Sequence, residues 1–264
     1  MTTPRAPVKI VSCLLLLGVP SACGQLGYRA RPAGWQEPEG RAARHRDERP
    51  AGKPYGATRV RLQYFREDIE LDELHVDFDG VPDGPLRDVE RDRAGFRADF
   101  GNRAAGGFFQ LFRDTWHAPS LFGEDLDAYG IGGGIVGTPV VDRTERVEFV
   151  VPYRFEVDVA AGHKSVAGFG EDLRYAEAMF EVGFGARMFG LQASSGAQFR
   201  SVGARFDSDD PASPANADAA VLTGTNVGGY VELLYKHDQV PLMARVRGLV
   251  GDIRGIEFSF GFAF

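Results

Sequence analysis

Apolar and polar residues alternate along most of the chain, which is the pattern of β-strands that have two unlike faces. In residues 146–159 every second position from Val147 to Val159 is apolar, and the positions between them are mostly charged. Residues 174–189 and 242–250 show the same alternation. The chain is therefore predicted to be all-β and antiparallel, with one apolar face on most of its strands.

The alternating segments predict about ten strands whose connections alternate in length. The strands are expected at about 58–67, 92–101, 105–115, 127–139, 145–160, 173–189, 191–206, 220–236, 240–250 and 254–264. Short connections are expected at 102–104, 140–144, near Gly190 and at 237–239, and long ones at 68–91, 116–126, 161–172 and 207–219. The tight turn at 251–253 is an exception to this alternation. Residues 69–79 could form a hairpin or a further strand, so eight and twelve strands stay open.

The last nine residues, IEFSFGFAF, place an apolar residue at every second position from Ile256 to the end. This ending resembles that of the bacterial outer-membrane β-barrel class, in particular small barrels of the opacity type, although Ser259 stands where a glycine is common. The resemblance implies an antiparallel, up-and-down transmembrane β-barrel in the outer membrane, with both barrel termini in the periplasm. It also implies partners: outer-membrane lipids, lipopolysaccharide and the barrel-assembly machinery. The assembly signal expected from the resemblance is Phe258, Phe260, Phe262 and Phe264.

The first residues of the chain predict export. Residues 1–22 have a charged start, an apolar run and a small-residue end, which together are typical of a secretory signal peptide. Cys23 resembles the lipid-modified cysteine of bacterial lipoproteins, and ordinary cleavage nearby is the alternative. Residues 23–56 are rich in Arg, Pro, Gly and Glu and lack periodicity, so a disordered linker is expected before a barrel at 57–264.

The charged faces of the strands would line the interior of the barrel if the apolar faces point to lipid. Both signs of charge occur there, which favours an internal ion-pair network over an open pore. The residues expected in this network are Glu148, Arg154, Glu156, Asp158, Glu177, Glu181, Arg187, Glu232, Arg245, Arg247 and Glu257.

Composition and motifs exclude several functions. The net charge of −7 argues against a nucleic-acid partner. The two cysteines, Cys13 and Cys23, leave no disulfide framework after signal cleavage, and no motif indicates a metal or a cofactor. His163 and Ser165, with Glu177 on the following strand, resemble the arrangement in outer-membrane lipid A deacylases, but the surrounding residues do not match that family.

The sequence therefore predicts an integral outer-membrane barrel with a structural, surface-interaction or minor transport role and no catalysis. Three alternatives stay open: a narrow cation-preferring porin, a lipid hydrolase that uses His163 and Ser165, and a soluble lipocalin-like carrier. The carrier would turn the apolar faces inward. The sequence gives no oligomeric state.

Overall fold

A computed structural model describes residues 59–263 apart from 72–73, 79–80, 87–88, 103, 118–124, 167, 210–219 and 237–240. The predicted signal peptide, Cys23, the linker and Phe264 lie outside the described residues. The described residues form fourteen strands: β1 (Arg59–Leu71), β2 (Leu74–Phe78), β3 (Val81–Leu86), β4 (Val89–Gly101), β5 (Gly106–His117), β6 (Leu126–Gly137), β7 (Val140–Arg143), β8 (Glu148–Val150), β9 (Tyr153–Val166), β10 (Phe169–Met188), β11 (Leu191–Ser208), β12 (Ala220–Lys236), β13 (Leu242–Gly251) and β14 (Ile253–Ala263). None of the described segments is a helix that could cross a membrane.

Ten of these strands close into one antiparallel barrel, as the alternation predicts. In chain order β1, β4, β5, β6, β9, β10, β11, β12, β13 and β14 each pair with the next. The barrel closes because β14 pairs with β1, from Arg61 opposite Ala263 to Leu71 opposite Ile253. We call the end where β1 begins and β14 stops the near end, and the opposite end the far end.

The hairpin formed by β2 and β3 completes the wall at the far end. β13 and β14 meet in a tight turn at Asp252, so β13 covers β12 only up to Gly228. Beyond that point β2 pairs with β12, with Leu74 opposite Gly224 and Val76 opposite Leu222. β1 therefore extends to Leu71, Leu74–Phe78 forms the first strand of a hairpin, and the barrel keeps ten strands.

Two predicted connections and one predicted strand are wrong. The short connection at 140–144 is part of a hairpin of β7 and β8, and the single strand expected at 145–160 is broken at Val151 and Pro152. Pro152 has no N–H to donate to a ladder, although its carbonyl accepts a bond from the amide of Gly183. The long loop at 161–172 is instead mostly strand, because β9 and β10 stay paired up to Val166 and Phe169.

The connection near Gly190 is as short as predicted. Phe189 and Gly190 alone join β10 to β11, and both have positive φ angles, of 50° and 80°. Two consecutive positive φ angles are the geometry of a tight hairpin turn whose twist matches that of the strands. Gly190 takes this conformation without the steric cost that a side chain brings.

Candidate functional site

The half of the barrel toward the near end is apolar outside and polar inside. On β9, Phe155, Val157 and Val159 point outward and are 41 to 47% exposed, whereas Arg154 and Glu156 are buried inside. The other long strands follow the same rule at this level, with Phe96, Leu111, Ile131, Phe180, Phe199, Val231 and Phe258 outside. This orientation is the reverse of the one that a lipocalin-like carrier needs.

The half toward the far end has its faces reversed. On β10, Asp172 and Arg174 point outward, and Leu173 and Tyr175 are buried inside. On β11, Arg205 is exposed and its neighbours Ala204 and Phe206 are buried. One strand thus carries an apolar outer face along one part and a polar outer face along the other. The far half has the arrangement of a water-exposed barrel with an apolar core.

That apolar core fills the far half of the interior. Trp116, Leu126, Leu173 and Phe206 are at most 1% exposed, and the ring of Trp116 contacts that of Tyr175 with centroids 5.3 Å apart. The cluster also contains Phe65, Ile69, Leu71, Leu74, Val76, Val89, Phe112, Ala128, Ala160, Val202, Ala204, Ala220, Leu222, Tyr230, Leu249 and Ile253.

A network of buried charges fills the interior on the near-end side of this core. We call the part of the network next to the core its upper part, and the part toward the near end its lower part. Arg93 lies at its upper part and binds Asp114 through two bonds of 2.8 and 3.0 Å, and it also pairs with Asp158. Its guanidinium stacks on Phe112 at 4.0 Å and donates to the hydroxyl of Tyr175 at 3.0 Å. Bidentate pairing and stacking are the contacts for which a planar guanidinium is suited.

Arg91 and Arg200 extend the upper part of the network. Arg91 pairs with Glu177 and with Glu67, the latter at 3.4 Å, and Arg200 pairs with the same two carboxylates. Gln110 continues the network toward the near end, because its side-chain amide donates to Glu156 at 2.6 Å and to Asp158 at 2.9 Å.

Arg247 is the centre of the lower part of the network. It binds Glu232 at 2.7 and 3.1 Å, pairs with Glu181, lies 3.4 Å from Glu257 and stacks on Tyr230 at 4.5 Å. Arg245 pairs with Glu257, and Arg154 with Glu156. Removal of Arg247 would leave three buried carboxylates that have lost a shared cation.

Most of the residues predicted for the interior lie in this network. Glu148 and Arg187 are the exception: they pair at 3.3 Å at the near end and are partly exposed. Residues that the alternation missed include Glu67, Arg91, Arg93, Asp114 and Arg200. The first four lie close to the level at which the faces reverse. In Glu90-Arg91-Asp92-Arg93 both faces are charged, so hydropathy gives no contrast between inside and outside.

Strand β6 provides room for the network because its inward positions Gly130, Gly132 and Gly134 have no side chains. At Gly132 an added Cβ would collide with the carboxylate of Asp158 and lie 3.2 Å from Cγ of Gln110. Glycine at this position therefore allows two neighbouring strands to place their polar groups at the centre.

The predicted serine–histidine arrangement is not assembled. His163 and Ser165 lie on the outer face of β9 and are exposed, whereas Glu177 is buried inside with Arg91 and Arg200. His163 Nδ1 instead lies 2.8 Å from Asp172 of β10, and within the described strands it has no bond to Ser165. The pairing of His163 with Asp172 could not be predicted from the sequence, because it depends on the register between β9 and β10.

A row of arginines on the outer surface marks the level at which the faces reverse. One continuous register row crosses seven strands from β1 to β11, and all its members point outward. Its members are Arg66, Ala94, Arg113, Tyr129, Ala161, Arg174 and Arg205. We call Arg66, Arg113, Arg174 and Arg205 the arginine row.

Outward-facing aspartates lie on the far side of the arginine row. Asp127 accepts a bond of 2.7 Å from Arg113, and Asp92 and Asp207 pair with Arg66 and Arg205. Within the described parts of the chain Arg174 has no ion pair, and it stands directly opposite Arg205. Exposed pairs of this kind contribute little to stability, so stability does not account for the row.

His117, at the far end of β5, is paired with Asp125 through Nδ1 at 2.6 Å, and both are exposed. The hydrogen bond raises the pKa of His117 above its ordinary value of 6.5. The pairing therefore stabilises the fold fully below pH 6.5, and this contribution is lost as the pH rises through the raised pKa.

In an NMR titration of the histidine ring, Asp125→Asn is expected to lower the pKa of His117, because it removes the carboxylate that is paired with Nδ1. An unchanged pKa in that variant would contradict the assignment.

The other predicted site residues are placed as follows. Phe258, Phe260 and Phe262 point outward on β14, while Phe264 lies outside the described residues. Within the described ranges no cluster of three or more His, Cys, Asp or Glu side chains has a metal-binding arrangement.

Comparisons with known proteins give no family. No protein-family model and no curated protein matches the chain. Among solved structures it is similar to the outer membrane protease OmpT from Escherichia coli, with 7% identity, a TM-score of 0.36, and coverage of 82% of this chain and 99% of that chain. A likeness at this level carries no argument about activity, and the fold assignment rests on the strand pairing above.

Proposed function

We propose that this chain is an integral outer-membrane β-barrel with a closed interior and a structural or surface-interaction role. The observation that carries the proposal is the reversal of the faces along the strands. A strand that is apolar outside over one part and polar outside over the next is what a barrel needs when one part faces lipid and the other faces water.

The size of the apolar outer surface supports this proposal. The outward positions of β10 from Ala176 to Met188 are all apolar, including Phe180, Val182 and Phe184. These twelve residue steps, at about 3.3 Å each and a strand tilt of about 40°, correspond to a height of about 30 Å. Outer-membrane barrels have an apolar band about 25 Å tall.

The interior supports a structural role over a channel. The charge network lies below an apolar core, and Arg93, Asp114, Asp158 and Glu181 are each at most 2% exposed. Ions in transit would need to replace contacts that arginines and carboxylates already make with one another. A minor transport role, and a narrow porin in particular, would require this network to open.

The orientation and partners follow from the same proposal. The near end, with both barrel termini, would face the periplasm, and the far end, with β2 and β3, would face the exterior. Outer-membrane lipids would contact the apolar surface, and the terminal strand with Phe258, Phe260 and Phe262 would be recognised by the barrel-assembly machinery. Cys23 remains a predicted lipid anchor.

We assign no catalytic residue. The serine–histidine hydrolase would need Ser165 within hydrogen-bond reach of His163, with a carboxylate behind the histidine. Asp172 provides such a carboxylate, but the described contacts of His163 do not include the serine.

Fractionation and conductance together test the proposal. The protein is expected in the outer-membrane fraction, with faster migration on gels when unboiled, and the purified barrel should give no steady conductance in planar bilayers. Recovery as a soluble periplasmic protein would contradict the membrane location. A steady cation-selective current would contradict the closed interior and favour the narrow porin.

A further inference from the structure

An apolar groove lies on the outer surface where β5, β6 and β9 meet. It has a volume of ≈ 590 Å³ and is lined by outward side chains that are about half exposed, together with parts of their inward neighbours. The groove residues are Leu111, Phe112, Tyr129, Gly130, Ile131, Val159, Ala160 and Ala161. The depression lies over Ala161, whose outward methyl group is much smaller than the outward side chains of Tyr129 and Val159 beside it.

The arginine row crosses the far end of this groove. Tyr129 and Ala161 belong both to the groove lining and to the row, and the next members on either side are Arg113 and Arg174. Three strand spacings of about 4.8 Å place the two arginine Cα atoms about 14 Å apart. Two extended arginine side chains can both reach an anion held between them.

The two arginines retain donors for such an anion. Arg113 gives Nη2 to Asp127, which leaves the other N–H groups of its planar guanidinium for a second acceptor. Arg174 has no ion pair within the described strands, and Arg205 directly opposite it adds a like charge, whose repulsion an anion bound to Arg174 would offset. An apolar groove beneath paired cations is complementary to a molecule with an acyl chain and a phosphate.

We propose that this groove binds one phosphorylated, acylated glycolipid of lipid A chemistry, with an acyl chain along Ile131 and Val159 and a phosphate between Arg113 and Arg174. The inference rests on the proposed function, because only a barrel in the outer membrane with its far end outward would meet this lipid. The glycolipid is favoured over a glycerophospholipid because the proposed orientation places the arginine row at the outer leaflet.

Native mass spectrometry of the full-length, detergent-solubilised barrel, titrated with bisphosphorylated lipid A, tests this proposal. The wild type is expected to retain one lipid A, and Arg113→Gln/Arg174→Gln should weaken binding at least about tenfold through lost charge-assisted hydrogen bonds. Ala161→Trp should weaken it as well, because the indole fills the groove without changing charge. Matched controls are Arg66→Gln, in the same row but beyond β4, and Ala197→Trp, on the outer face of β11; both should stay within about twofold of the wild type.

Each variant is first checked for heat-modifiable migration, and Arg174→Gln alone replaces the double variant if the latter does not fold. Binding by the arginine variant within about twofold of the wild type would overturn the proposal, as would an equal loss in the controls. Equal binding of phosphatidylglycerol would overturn the assignment to a glycolipid. Absence of the wild type from the outer membrane would instead contradict the proposed function.

Discussion

Phe155→Arg is expected to destabilise the folded barrel by about 2–4 kcal/mol, because its side chain points outward near the middle of the apolar surface. The cost is that of placing a guanidinium in hydrocarbon. His163→Arg, eight residues farther along the same face of β9, provides the matched control. It lies beyond the arginine row, next to Asp172, and should change stability by no more than about 1 kcal/mol.

The measurement is reversible unfolding in guanidinium chloride with the protein in lipid vesicles, followed by the gel shift between folded and unfolded forms. Arginine substitutions at Val157, Val159 and Ala161, measured in the same way, would locate the level at which the destabilisation disappears. Equal stabilities for Phe155→Arg and His163→Arg would show that the outer surface has no lipid boundary on β9, and the proposed membrane location would be wrong.

Arg247→Met is expected to cost about 3–5 kcal/mol, because it leaves Glu181, Glu232 and Glu257 buried without the cation that they share. Methionine keeps much of the side-chain volume, so the loss reflects charge more than packing. Arg205→Met removes an arginine that is also paired, with Asp207, but on the exposed outer surface. That variant should lose no more than about 1 kcal/mol.

The same unfolding experiment compares the two arginine variants, and a double variant distinguishes charge from packing. Glu232→Gln combined with Arg247→Met should recover part of the stability lost in Arg247→Met, because one uncompensated carboxylate is removed. Equal losses in Arg247→Met and Arg205→Met would mean that the interior network is as well hydrated as the surface.

The fold was predictable from sequence in the half where the two faces differ most in polarity. Phe155, Val157 and Val159 alternate with Arg154, Glu156 and Asp158, so both the strand and its two faces could be predicted. The break at Pro152 had a local signal, since proline cannot donate to a ladder. The hairpin of β7 and β8 had a weaker one, because its strands are short and exposed.

The half beyond the arginine row was harder to predict for a physical reason. Around Arg174 the outward side chains are charged and the inward ones apolar, so the alternation changes sign within β10 and a polar segment resembles a loop. The interior partners depend on which strands face each other across the barrel. Arg93 and Tyr175, for example, are 82 residues apart in sequence, and no local pattern pairs them.

The arginine row also implies that the apolar belt has a slanted upper edge. The row lies seven residues from the near end of β1, at Arg66, and fourteen from the near end of β10, at Arg174, and every outward position of β10 between Arg174 and the near end is apolar. With a strand tilt of about 40° and a rise of about 3.3 Å per residue, the edge climbs by about 18 Å around the wall. A flat bilayer can meet such an edge only if the barrel axis leans or the membrane thins beside β1. The protein would then impose a local asymmetry on the membrane that surrounds it.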